Sequence, residues 1–112
     1  MGRRVLIVDN TLREGEQVPG VWFSREEKLA LFDALQVAGV DLVDLGIPAA
    51  SPREVEYCRE VVRRADTAAP GVSIRARDAE LELAREIGVR DVFLMFPASE
   101  IHIEHKFLTT PA

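Results

Sequence analysis

The sequence predicts an α/β fold built on a parallel sheet, and three observations carry that reading. Apolar strand-like runs recur at residues 4–9, 41–46, 71–76 and 91–96. Amphipathic stretches long enough for helices lie between them, so the chain alternates strand and helix in the manner of βαβ units with right-handed crossovers. Runs such as Val5, Leu6, Ile7, Val8 and Val92 through Phe96 are continuously apolar, which suits strands covered on both faces. No linker or low-complexity tract interrupts the pattern, so residues 1–112 are expected to form a single domain.

The elements follow in order. After the first strand comes a polar, glycine-containing stretch, and then Ser24-Arg25-Glu26-Glu27. That is a capping box, with Ser24 as N-cap and Glu27 reaching back to it. Leu29, Phe32, Leu35 and Ala38 recur at helical spacing, and Gly39 is placed to end the first helix at its C′ position. The second helix opens on Ser51-Pro52-Arg53-Glu54, a second capping box with proline at the first helical position. Val55, Cys58 and Val62 supply its inner face. Asp78 is expected to cap the third helix, Leu81 and Ala84 to face inward, and Gly88 to terminate it. Near the end of the sequence, Thr110 and Pro111 read as the N-cap and first residue of a fourth helix.

Composition narrows the functional classes. The formal net charge is −5 and the 14 Lys and Arg residues are scattered, which argues against a nucleic-acid backbone or an anionic membrane surface as partner. No apolar run approaches the roughly 18 residues of a membrane span, and the basic start lacks the apolar length and cleavage site of a signal peptide. Position 6 is Leu, so the myristoylation pattern at Gly2 fails. Cys58 is the single cysteine; it reads as a small buried apolar residue in a reducing compartment, and the expected location is the cytoplasm.

The most informative stretch is Asp9-Asn10-Thr11-Leu12-Arg13-Glu14-Gly15-Glu16-Gln17. It delivers a guanidinium and a carboxylate to the C-terminal end of a strand, where parallel α/β folds bind ligands. A hard divalent cation takes carboxylate oxygen, and an adjacent guanidinium can hold a carboxylate or a developing oxyanion. Gly15 lets backbone approach a ligand, and Gln17 can orient a water or a substrate oxygen. For an arbitrary Arg-Glu pair a solvated turn with a surface ion pair would be the better reading; the full nine-residue run favours function.

DNTLREGEQ resembles the D-x-T-L-R-[DE]-G-x-Q signature of the homocitrate synthase and isopropylmalate synthase family, metal-dependent TIM-barrel acyltransferases. The resemblance continues through VWFSREEKLALFDAL, GVDLVDLGIPAASPREVE, IRA at Ile74, Arg75 and Ala76, and PASEIHIEHKF, in the family's order. It implies a parallel (βα) half barrel, the first four strands and three helices of a TIM barrel, since a complete barrel needs about 250 residues. By position it implies that Glu14 ligates the divalent metal and that Arg13 holds the keto acid and stabilises developing negative charge. Asp9 would support the metal site and Gln17 would contact substrate or metal-bound water. Asp44 stands where relatives usually carry Glu, and a substrate contact is implied for it. Arg75 falls on the family's third-strand arginine, with two readings open, a distal substrate group or an ion pair inside the barrel mouth. Ser99 aligns with a serine that touches substrate carboxylate.

His102-Ile103-Glu104-His105 invites a metal reading, since histidines three apart on a helix can share a face. The resemblance places this segment away from the expected metal, and the family's H-x-H pair lies on a later strand, so the rim of a pocket or solvent is the expected place for both histidines.

The function implied is a component of an acyltransferase that condenses acetyl-CoA with a 2-oxo acid. The metal, Mg, Mn or Zn, would be held only once another chain completes the site, so activity as an isolated monomer is not expected. A half barrel leaves open sheet edges, and the expected partner is a second half-barrel polypeptide or another copy of the chain. Two alternatives stand beside this: a non-catalytic assembly or regulatory half barrel, and a metal-dependent C–C lyase of the same superfamily. The lyases usually read R-D-G-L-Q, whereas Glu16 precedes Gln17 here.

Overall fold

The computed structural model describes residues 2–106. Four parallel strands, β1 (Val8–Asp9), β2 (Leu42–Asp44), β3 (Ala69–Arg75) and β4 (Asp91–Met95), form one sheet in the order β1-β2-β3-β4. The helices are α1 (Thr11–Glu14), α2 (Arg25–Val37), α3 (Pro52–Arg64), α4 (Asp78–Ile87) and α5 (Glu100–Lys106). Short 3₁₀ turns occupy Gly15–Gln17 and Pro48–Ala50. Because neighbouring strands are parallel and sequential, every strand's C-terminal end lies on the same side of the sheet. The chain is an α/β half barrel, as the sequence predicts, and no helix among the described residues is long and apolar enough to cross a membrane.

The core lies where α2, α3 and α4 cover the sheet. Phe32, Val43, Leu45, Cys58, Val61 and Val72 are fully buried there. Register is tightly fixed at β3 and β4: a Cβ on Gly71 would stand 2.8 Å from the Phe93 ring and 2.9 Å from the Asp91 carbonyl. Only a residue without a side chain lets the strands approach so closely. At the base of β1, the Asp41 carboxylate accepts the Ile7 N–H at 2.9 Å and pairs with Arg4 at 2.8 Å.

Several elements differ from the sequence reading, each for a local reason. The first strand's ladder covers only Val8 and Asp9, and the preceding apolar residues are exposed, Val5 at 73%. Val92, Leu94 and Phe96 are exposed too. Strands β1 and β4 are the sheet's edges, so their apolar runs are not covered on both faces as expected. The Ser24 capping box is complete, with Glu27 N–H donating to Ser24 Oγ and Ser24 N–H to Glu27 Oε2. At α3 only one arm forms: Ser51 Oγ accepts the Glu54 N–H at 3.3 Å, while the Glu54 carboxylate turns to Lys28. The N-cap of α4 is Arg77 rather than Asp78, which enters the first turn as a helical residue favoured by the dipole. Leu81 is 54% exposed and Glu80 takes the inward place beside Ala84 and Ile87. Gly39 and Gly88 close α2 and α4 at φ +85° and +98°, as expected of C-terminal glycines. The helices α1 and α5 were not anticipated as elements, and the helix start expected at Thr110 and Pro111 lies outside the described residues.

Candidate active site

The signature residues leave β1 and turn at once into α1. Asp9 makes that turn possible: its carboxylate accepts the Thr11 N–H at 2.9 Å and the Thr11 hydroxyl at 3.2 Å. The Asn10 carbonyl then accepts the N–H groups of Arg13 and Glu14. Leu12 points into the core, 1% exposed, and anchors the turn. Arg13 and Glu14 are thereby presented together at the C-terminal end of the sheet, with Arg13 Nη1 2.8 Å from Glu14 Oε1.

Asp44, the last residue of β2, fixes the guanidinium. Its Oδ2 accepts Arg13 Nε at 2.6 Å and Ser73 Oγ at 2.7 Å, and its Oδ1 accepts the Gly46 N–H at 3.1 Å. The ladder explains the meeting with Ser73: Asp44 is level with Gly71, and Ser73 stands two residues further along the same face of β3. Asp44 is buried with these donors, whereas the Glu14 side chain is 47% exposed. Arginine carries five N–H donors, and these two pairings leave others for a ligand. The arrangement is a guanidinium with one side locked into the protein and a carboxylate beside it open to solvent. Its chemistry is recognition of a carboxylate or stabilisation of an oxyanion.

Arg75 and Ser99 each have a separate partner. Arg75, the last residue of β3, is held by Glu80 on α4: its Nε donates to Oε1 at 2.7 Å and its backbone N–H to Oε2 at 2.8 Å. Burial pushes the Glu80 carboxyl up, but the Arg75 N–H and guanidinium outweigh it and hold it below its ordinary value. Ser99 accepts the His102 N–H at 3.3 Å and so caps α5. Gln17 is exposed at the end of its 3₁₀ turn. His102 lines a cavity of about 540 Å³ with Arg75, Arg77 and the segment 94–97. Both His102 and His105 are exposed. Among the described residues, no three or more His, Cys, Asp or Glu side chains converge on a point that could hold a metal ion.

Sequence reasoning passed over Ser73, Glu80 and Lys28. Ser73 and Glu80 have no motif of their own. Lys28 could have been noticed as a charged residue one position from the apolar stripe of α2, where an ordinary surface lysine would stay wet.

A family model described as HMGL-like matches residues 4–112. Among curated relatives, a 2-phosphonomethylmalate synthase of Streptomyces rubellomurinus is 38% identical over 93% of this chain and 28% of its own length. A 2-isopropylmalate synthase of Synechocystis is 35% identical over 97% of this chain and 22% of its own. A homocitrate synthase of Methanosarcina mazei is 34% identical over 90% of this chain and 25% of its own. The chain thus spans roughly a quarter of the length of these relatives. Its fold matches a crystal structure of the HMG-CoA lyase of Bacillus subtilis with a TM-score of 0.76 at 20% identity, over 97% of this chain and 38% of that one. The signature turn at the end of β1 and a match running from residue 4 to residue 112 together show that the chain belongs to the HMGL-like family, similar to its synthase members over their N-terminal region.

Proposed function

We propose that the chain supplies the keto-acid-holding part of an acyltransferase that condenses acetyl-CoA with a 2-oxo acid, and that a second half barrel completes the site. The observation that carries this reading is the locked guanidinium: Arg13 tied to buried Asp44 on one side and to solvent-facing Glu14 on the other. A rigid cation at that place binds the substrate's carboxylate or keto oxygen and neutralises the alkoxide formed when the acetyl enolate attacks the keto carbon. Asp44 positions Arg13; Gln17, Arg75 and Ser99 are the further substrate contacts of this reading. The base that deprotonates the acetyl methyl belongs to the other half, and hydrolysis of the thioester then releases CoA. The named synthases among the relatives support this reaction class.

A divalent metal belongs to the reading only with that second half. Catalytic metal sites use about three protein ligands, and this chain contributes Glu14 as one. Among the described residues, the donors present do not make a site alone. Open edges at β1 and β4, with Leu94 58% exposed and Phe96 68% exposed, support pairing with another half barrel. The single buried thiol supports a reducing, cytoplasmic setting.

The test is native mass by light scattering on the chain alone and after recovery from its source lysate. A stoichiometric second polypeptide, and release of CoA thiol by the pair with a 2-oxo acid, is the expected result. In that pair Glu14→Ala should abolish both turnover and divalent-metal binding while leaving the partner bound. A homodimer without other partner, or an unaffected Glu14→Ala pair, would overturn the reading in favour of a non-catalytic assembly role.

A further inference from the structure

We infer that Lys28 and Glu16 form a brace that positions the Arg13–Glu14 turn against α2 and α3; as a statement about catalysis it rests on the reading of the site given above. Lys28 lies in the first turn and a half of α2, yet it is only 5% exposed. Its Nζ stands 2.8 Å from Glu54 Oε1 on α3, 3.1 Å from Glu16 Oε1 and 5.0 Å from the centre of the Tyr57 ring. One ammonium therefore joins two helices to the turn that directly follows Arg13 and Glu14.

Glu16 is the member that reaches the site. Its Oε1 also accepts the Phe23 N–H at 3.4 Å, which closes the loop of residues 18–23 over the turn. The Phe23 ring lies so near Gly15 that a Cβ there would stand 3.3 Å from it. The brace thus closes on the turn that carries Arg13.

A buried ion triad contributes less to stability than an apolar group of the same shape would. That comparison holds for the triad replaced as a whole; methionine at position 28 alone would leave the Glu16 and Glu54 carboxylates without their cation. What the triad supplies is direction: two charge-assisted contacts from one ammonium that fix the turn relative to α2 and α3. Lys28 and Glu16 are positioning residues on this account, since neither is placed against the substrate.

Glu16→Gln separates positioning from support of the fold, because it leaves the Lys28–Glu54 pair in place. Amide hydrogen exchange on the chain, with no metal or substrate, is the first readout. Exchange at the Arg13 and Glu14 N–H groups should quicken about tenfold or more by local opening, with β3 amides and the melting temperature little changed. Trp22, the single tryptophan, sits in the loop that Glu16 closes, and its fluorescence anisotropy should fall in the same variant. Lys28→Met should reproduce both effects, and Lys28→Arg should restore them in part. In the completed enzyme Glu16→Gln should raise KM for the 2-oxo acid and leave KM for acetyl-CoA unmoved. Unchanged exchange at Arg13 and Glu14 in Glu16→Gln overturns the brace, as does acceleration spread evenly over the sheet. Because exchange needs neither metal nor turnover, an inactive pair with the expected exchange pattern would count against the synthase reading and leave the brace standing.

Discussion

Removing the Asp44 carboxylate would leave three donors without their acceptor: Arg13 Nε, Ser73 Oγ and the Gly46 N–H. Breaking a buried ion pair by deleting one partner costs about 3–5 kcal/mol, so Asp44→Ala should lower the free energy of unfolding by roughly that amount in urea titration. Ser73→Ala removes one neutral donor from the same oxygen and should cost only about 1 kcal/mol. The difference in size between the two variants checks that the charge of Arg13, rather than the hydrogen-bond count, dominates the node. Much of this site was legible at the level of residue identity: Arg13 and Glu14 stand out in the sequence as a charged pair in a nine-residue signature at a strand end, and Asp44 through its place in the family's second-strand motif. Their partners were not legible. Asp44 and Arg13 are 31 positions apart and meet only because β1 and β2 are neighbours, and Ser73 joins them through the register of β2 on β3. Arg75 shows the same limit. Its sequence position allowed a substrate contact or an ion pair, and Glu80, on a helix face expected to be apolar, supplies the ion pair.

Elements are held by single residues whose effect is local and separable. The complete capping box of α2 makes Ser24→Ala costly by about 1 kcal/mol, whereas Gly71→Ala attacks the sheet itself. A methyl there must displace the Phe93 ring or part β3 from β4, since both contacts would fall under 3 Å, and overpacking of this kind costs about 1–3 kcal/mol. Urea titration of Gly71→Ala should show that loss, with the fastest rise in amide exchange along β4. Boundaries with strong local chemistry were legible in advance: Ser24, Ser51 with Pro52, Gly39 and Gly88 act through their own backbone and nearest neighbours. The short helix α1 was not, because four residues following a strand carry no periodicity to distinguish a helical turn from an irregular one. Leu81 and Glu80 exchanged their expected places for a tertiary reason. The strand-end Arg75 recruits Glu80 inward, and a helix turned to bring that carboxylate to the sheet carries Leu81 out to solvent.

At the scale of the whole molecule, the alternation of strands and helices made the half barrel legible, but the covering of its edges was not, since an apolar run reads alike whether another chain covers it or not. Titratable groups held by the fold also give the molecule a definite pH profile. Two carboxyls are held below their ordinary values: Asp41 by the Ile7 N–H and then Arg4, and Glu80 by the Arg75 contacts that outweigh its burial. Groups depressed in the folded state contribute stability above their unfolded values, 3.8 and 4.5, and lose it as the pH falls through the folded ones. On the alkaline side the signs reverse. Burial pushes the Cys58 thiol up to about 12 from 9.0. For Lys28 burial pulls downward, but Glu54 and Glu16 outweigh it and raise the ammonium above 10.5. Both contributions are fully present below the unfolded values and disappear as the pH rises through the folded ones. Stability measured by urea titration should therefore be level between about pH 5 and pH 9 and fall on either side. Glu80→Gln should flatten the acid limb, and Cys58→Ala the first part of the alkaline limb, each at some cost in neutral stability. Burial also pushes the Tyr57 phenol up from 10.0, so Tyr57 and Cys58 share the fall above pH 10.5 with Lys28. Lys28→Met should therefore make that fall shallower without abolishing it; a variant retaining the full wild-type slope there would show that the ammonium is not held between its two carboxylates in solution.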